Sequence, residues 1–209
     1  VTLFSGALSN AGCTSTMGDQ ITSTDFTGKK FIVNGGTSNT DRIYILATQN
    51  GTNITVTNSG TSSTLINWGE TFELATSDAL NYISTSKPVY VWHTSGYGCN
   101  ISGAQVPNLL CAGTYNTAFT RSTSDSLGLI LYTRTGFEGM FELNGNPALI
   151  TSAAFTDVPG TSGNYKSAVI YFNTTDVPVN SYNEVTNSGD IFGLGVISGE
   201  NGTGSSYGY

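Results

Sequence analysis

The sequence predicts an all-β protein made of two similar β-sandwich-like lobes related by internal duplication, and three observations carry that expectation. Short runs rich in Val, Ile, Thr, Tyr and Phe alternate with Gly, Asn and Ser turn residues along most of the chain. Only Asp78 to Tyr82 could hold a helical turn. Segments of the first half also recur, in order, in the second.

A chain of 209 residues and 21.9 kDa is long enough to bury about 70% of its unfolded surface. Charged residues make up 10% of it, against a usual share of about 25%. Thr, Ser, Asn and 26 Gly take their place, and 11 Tyr, 10 Phe and 2 Trp supply material for folded cores. The net charge is −7 with only 7 Lys+Arg and no basic cluster. Nucleic acid and anionic membrane surfaces are therefore excluded as partners. No apolar run reaches the ~20 residues of a spanning helix, so direct membrane insertion is not expected. The chain begins without a charged n-region and h-region, so any export signal is expected to have been removed or to lie outside this sequence.

In chain order, Val1 to Thr27 reads as an irregular N-terminal strap with room for one strand. Regular strand signals follow at Lys30 to Asn34, Arg42 to Thr48, Asn53 to Thr57, Thr64 to Asn67 and Thr71 to Leu74. Turns such as Asn34-Gly35-Gly36, Asn50-Gly51 and Ser59-Gly60 separate them. Val89 to Thr94 is a further strand, broken by Ser95, Gly96, Tyr97 and Gly98. A segment bracketed by Cys99 and Cys111 comes next. Residues 1–98 thus form the strap and first lobe, and residues 99–209 a disulfide loop and second lobe, packed as one unit.

The pattern restarts after Cys111. RIYILATQNG at Arg42 to Gly51 aligns without gaps on LGLILYTRTG at Leu127 to Gly136. NITVTNSG corresponds to MFELNG, Thr64 to Leu74 to Ala148 to Val158, and Lys87 to Trp92 to Gly189 to Leu194. Lys166 to Phe172 is an extra strand of the second half.

Of 3 cysteines, Cys99 and Cys111 close a short loop in a low-charge chain and are expected to be bridged in an oxidising compartment. Cys13 is then free or bonded outside the chain. The one histidine, His93, reads as a strand residue satisfied by a neighbour rather than a base or ligand. The aspartates stand mostly beside Ser or Thr in turns, and the glycines of IFGLGVISGENGTG lack the Lys and helix of a phosphate cradle. No cofactor is implied, although β-lobes can hold calcium through backbone carbonyls. The candidate ligand-facing residues are Trp92, Tyr97, Asn100, Gln105 and Asn108. Aromatic faces combined with amides suit sugars or extended peptides. The alternative places Trp92 in the core and makes the loop a cap on the lobe junction.

Several segments, in order, resemble the IgGFc-binding protein N-terminal domain family: DRIYILATQNGTNITV, LINWGETFEL, YISTSKPVYVWHTSGYG, GAQVPNLLC, FELNG, DIFGLGVISG and SSYGY. The resemblance runs from about Lys29 to Tyr209, with KPVYVW before its Gly-rich turn and the closing SYGY as the most specific parts. It implies an extracellular, non-enzymatic adhesion or binding module that engages protein or glycan on a surface and neighbouring domains of the same long protein. The Thr/Asn bias is similar to that of the bacterial cell-surface and gliding-motility adhesins of the family. The cysteine placement departs from the animal members, so an antibody-Fc ligand is not carried over. Two rival expectations stand beside this one: a structural spacer or filament subunit of a surface appendage, and a glycan-active enzyme with a carboxylate pair.

Overall fold

Alternation of buried and exposed side chains sets the first half. The computed structural model describes residues 3–10, 13–20, 22–35, 41–75, 79–110, 112–200, 202 and 204–209. Strands β1 (Leu3–Asn10) and β2 (Cys13–Gln20) form an antiparallel hairpin, so the expected irregular strap is a two-stranded ribbon. After β3 (Gly28–Asn34) come β4 (Arg42–Ala47), β5 (Thr52–Thr57), β6 (Thr61–Ile66) and β7 (Thr71–Ala75). In β4, Ile43, Ile45 and Ala47 point into the core while Arg42, Tyr44 and Leu46 face away.

The long strand β8 (Leu80–Tyr97) organises this half. Its first part lies between β3 and β5, and its second part between β4 and β9 (Asn100–Gln105). Phe31, Val33, Ile54, Val56 and Ile83 from the first group meet Ile43, Ile45, Val89 and Val91 from the second in one core. One strand therefore serves both layers of a sandwich. The helical turn expected at Asp78 to Tyr82 is strand from Leu80 onward, and 76–78 lie outside the described residues.

The second half comprises β10 (Asn116–Thr120), β11 (Ser126–Arg134), β12 (Phe141–Leu143), β13 (Thr156–Asp157), β14 (Tyr165–Phe172), β15 (Tyr182–Asn187), β16 (Phe192–Glu200) and β17 (Gly204–Gly208). The order β10-β15-β12 makes one layer and β13-β14-β11-β16-β17 the other. Leu127, Leu129, Leu131, Phe141, Leu143, Val185 and Phe192 fill the space between them.

One pairing scheme recurs in both halves. β3 and β5 flank the start of β8 as β10 and β12 flank β15. Likewise β7, β4, the end of β8 and β9 lie in the order of β14, β11, β16 and β17. The core-facing pairs Ile43↔His93 and Ile45↔Val91 match Leu129↔Val196 and Leu131↔Leu194. That register is one residue off the ungapped alignment of RIYILATQNG with LGLILYTRTG. The alignment of Thr64 to Leu74 with Ala148 to Val158 also shifts. β14, expected as the extra strand, takes the place beside β11 that β7 takes beside β4, while β13 lies one strand further out.

The outer face of β11 and β16 packs on the first half. Tyr132 and Val158 meet Ile32, Tyr82 and Leu109, and Ile130 and Ile197 meet Ala104 and Tyr207. Asn34 Nδ2 donates to Ser167 Oγ at 2.7 Å, and that hydroxyl donates to the Leu131 carbonyl at 2.7 Å.

The disulfide is a correction. Cys99 is bonded to Cys13, with Cα atoms 5.5 Å apart, and not to Cys111, which lies outside the described residues. The expected loop closed by Cys99 and Cys111 is instead a hairpin. β8 continues through Ser95, Gly96 and Tyr97, turns at Gly98 and Cys99, and returns as β9. The turn points Cys99 at the N-terminal ribbon, where Ile101 N donates to Ser15 Oγ at 3.3 Å. Spacing along the chain favoured the nearer cysteine; the hairpin favours the distant one.

Candidate binding cleft

A cleft of about 660 Å³ opens where the two sandwiches meet, within the usual range for ligand sites. One wall is the end of β9 and the segment after it, with Ala104, Gln105, Pro107 and Asn108. The floor is β16 at Phe192, Gly193 and Leu194, with Tyr132 reaching over from β11. Tyr207, Gly208 and Tyr209 close one end, and Thr22, Thr27, Thr114 and Thr117 supply hydroxyls around the rim. Among the described residues no charged side chain lines it.

Two glycines make this floor. A Cβ on Gly193 would lie 2.0 Å from the Tyr132 ring, and one on Gly195 would lie 2.9 Å from the Tyr209 ring. Their absence lets both rings lie across the β16 backbone. The Tyr132 hydroxyl is buried and has no hydrogen-bond partner among the described residues. Burial, reinforced by nearby Tyr209 and Tyr165, pushes its pKa well above the usual phenol value. Burial also pushes Tyr209 up to about 12.

Behind the cleft lies a polar core. The Tyr207 hydroxyl and His93 Nδ1 share a 2.8 Å hydrogen bond, and His93 Nε2 is 3.5 Å from Asp41 Oδ2. His93 is wholly buried. It is thus a buried strand residue bonded through Nδ1, and the acid nearest its Nε2, which sequence proximity did not reveal, is Asp41. Among the described residues no cluster of His, Cys, Asp and Glu is suited to hold a metal ion.

The five sequence-selected residues separate here. Gln105 and Asn108 line the cleft. Gln105 Nε2 donates to Thr22 Oγ1 at 2.9 Å, and Asn108 packs where a Cβ on Gly28 would collide with it. Trp92 is buried, its indole resting on Gly103, and shares only a small depression of about 50 Å³ with Gln105 and Tyr90. Tyr97 points into the junction of the halves, where burial pushes it up to about 12. Asn100 Nδ2 donates to the Glu200 carbonyl at 3.4 Å, away from the cleft.

Tyr132, Leu194, Tyr207 and Tyr209 were not singled out. Their only sequence trace is the pair of small-residue motifs GLG and SYGY. A second, open groove of about 800 Å³ is lined by Lys30, Tyr82 and Arg134. Arg134 is already held there by a two-pronged bond to Asp190, so the uncharged cleft is the stronger candidate.

Fold and cleft together define a disulfide-stapled all-β module with an uncharged recess between two sandwiches. The chain belongs to the family described as IgGFc binding protein, whose profile matches residues 1–198. Tyr207 and Tyr209 lie beyond the matched residues. Among curated proteins there is no significant match. The family description is that of a binding protein, and the Cys13–Cys99 disulfide is the mark of an oxidising, extracellular environment. No described helix is long and apolar enough to cross a membrane.

Proposed function

We propose that this chain is a non-enzymatic binding module of an extracellular or cell-surface protein, whose ligand is a protein segment or glycan held in the cleft between the sandwiches. The observation that carries this reading is the chemistry of the cleft: aromatic floor, amide and hydroxyl rim, no charge. Such a surface stacks on and hydrogen-bonds to neutral polar ligands. The finer reading, an adhesin-type module of a secreted multidomain bacterial protein, is supported by the low charge, the Thr/Asn bias and the family.

Hydrolysis of a glycan needs two carboxyl groups about 5–9 Å apart across the scissile bond. Among the described residues no carboxylate side chain lines the cleft, which favours binding over catalysis. A spacer or filament subunit would leave the cleft without a use.

The test is a binding screen of the wild type and Thr117→Arg against a glycan array and immobilised IgG Fc. Arginine at this lining position puts a long cation into the recess. Any ligand of the cleft should bind the variant at least tenfold more weakly at unchanged melting temperature. Full affinity in a folded variant puts the site elsewhere.

A further inference from the structure

We infer that the open groove lined by Lys30, Tyr82 and Arg134 is a second binding site, and that it takes a glycan through the carboxylate of an acidic sugar. The groove shares no lining residue with the cleft, so this inference stands or falls apart from the reading of the cleft.

Charge selects the ligand. The chain has 14 Asp+Glu against 7 Lys+Arg, yet among the described residues the charged side chains lining the groove are the cations Lys30 and Arg134. Arg134 Nε donates to Asp190 Oδ2 at 2.5 Å, and Nη2 donates to Oδ1. Asp190 is buried, and the guanidinium holds its carboxyl below the usual carboxylate range. Arg134 Cζ also lies 5.8 Å from the centre of the Phe137 ring. Asp190 and Phe137 thus fix the position of a side chain that is 59% exposed. Their grip leaves Nη1 without a partner among the described residues. A carboxylate fits across Nη1 and Nη2 through two parallel N–H···O bonds. Asp190 offsets the charge of Arg134, whereas Lys30 is exposed and has no ion pair among the described residues. Its ammonium is the charge left for an incoming anion.

The rest of the wall suits a sugar. Lys30 and Tyr82 come from the first half, and the loop at 160–164 from the second. Gly160, at φ +77°, lets that loop close on Tyr82, whose ring would lie 3.0 Å from a Cβ there. The loop presents the exposed Ser162 hydroxyl and the Oδ1 of Asn164, whose Nδ2 donates to the Thr161 carbonyl. Tyr82 and Tyr165 add phenol rings. Hydroxyls and an amide beside aromatic rings match the hydroxyls and C–H face of a pyranose. A single carboxylate also fits the overall charge, because an acidic peptide segment brings several toward a protein of net charge −7.

NMR titration of the isotope-labelled protein tests the site. Sialyllactose and a trisaccharide ending in glucuronic acid are the acidic probes, with lactose and tetraglutamate as controls. At least one acidic probe should shift the amides of Ser162 and Gly163 and bind at least tenfold more tightly than both controls. Lys30→Gln, a change at an exposed strand position, should weaken that probe at least fivefold at unchanged melting temperature. Arg134→Lys keeps a cation for Asp190 but loses the fork, and should cost at least tenfold. Thr117→Arg, in the cleft, should leave the affinity unchanged. Loss of affinity in Thr117→Arg puts the acidic sugar in the cleft, which overturns this site and keeps the reading of the cleft. Lactose binding as tightly as the acidic probe overturns the carboxylate, and tetraglutamate binding as tightly overturns the sugar. No binding by either acidic probe, or full affinity in folded Lys30→Gln, overturns the site.

Discussion

Arg121 is held by main-chain carbonyls. Its buried guanidinium donates to the carbonyls of Thr123, Ser124, Asp125, Phe172 and Val177. One cation thereby ties the loop before β11 to the end of β14 and the turn after it. Replacing it with methionine keeps bulk and leaves several buried carbonyls unmet, each costly to desolvate. Arg121→Met should lower unfolding free energy by about 3 kcal/mol in chemical denaturation, and a loss below about 1 kcal/mol would mean that water replaces the guanidinium. Nothing in TRSTSD announces this role, because two of the accepting carbonyls, those of Phe172 and Val177, come from 51 and 56 residues away. The cleft was legible to the same degree. Gln105 and Asn108 could be chosen as amides near a turn, whereas Tyr132 becomes a site residue only when β11 lies beside β16 and Gly193 is opposite it.

At the scale of elements, the β8–β9 hairpin departs furthest from expectation. Ser95 to Gly98 has the composition of a break, yet Gly96 stays in the strand because the Asn100 carbonyl passes where its Cβ would be, at 1.9 Å. Glycine there serves close approach of two backbones. The hairpin fixes Cys99 at a turn, and the crosslink to Cys13 closes a loop with a sequence separation of 86. In the chain-entropy account a loop of this size is worth about 4 to 5 kcal/mol. Cys13→Ser and Cys99→Ser should each lose most of that in denaturant unfolding under non-reducing conditions, and the double variant little more. Peptide mapping of the unreduced protein checks the pairing, and a Cys99–Cys111 peptide would refute it.

For the whole molecule, the all-β class was legible while the strand register was not, and β11 shows why. Leu129, Ile130, Leu131 and Tyr132 are all buried, because one face fills the second core and the other meets the first half. A strand buried on both faces has no alternation to fix its register, so an alignment can slip by one residue unnoticed. Descent from one duplicated unit predicts that the halves superpose with Ile43 on Leu129 rather than on Gly128. The junction between them is rich in phenols. Burial raises Tyr97 and Tyr209 to about 12 and Tyr207 well above the usual value. A raised phenol pKa favours the neutral form in the folded state. Its stabilising contribution is complete below the unfolded value near 10 and is lost as pH climbs toward the folded values. Melting temperature should hold up to about pH 10 and then fall steeply toward pH 12, with tyrosinate absorbance rising in two stages. A flat profile to pH 12 would contradict the burial of these hydroxyls.

Pulled from its two ends, this chain would not carry tension evenly. Force entering at the N-terminus reaches Cys13 and passes through the sulfur bridge to Cys99, so the sandwich between them is bypassed. A surface protein under shear would keep its first half slack and shaped while the second takes the load. In single-molecule stretching, the oxidised chain should extend roughly 300 Å less than the reduced one, the length of the shunted segment at about 3.5 Å per residue.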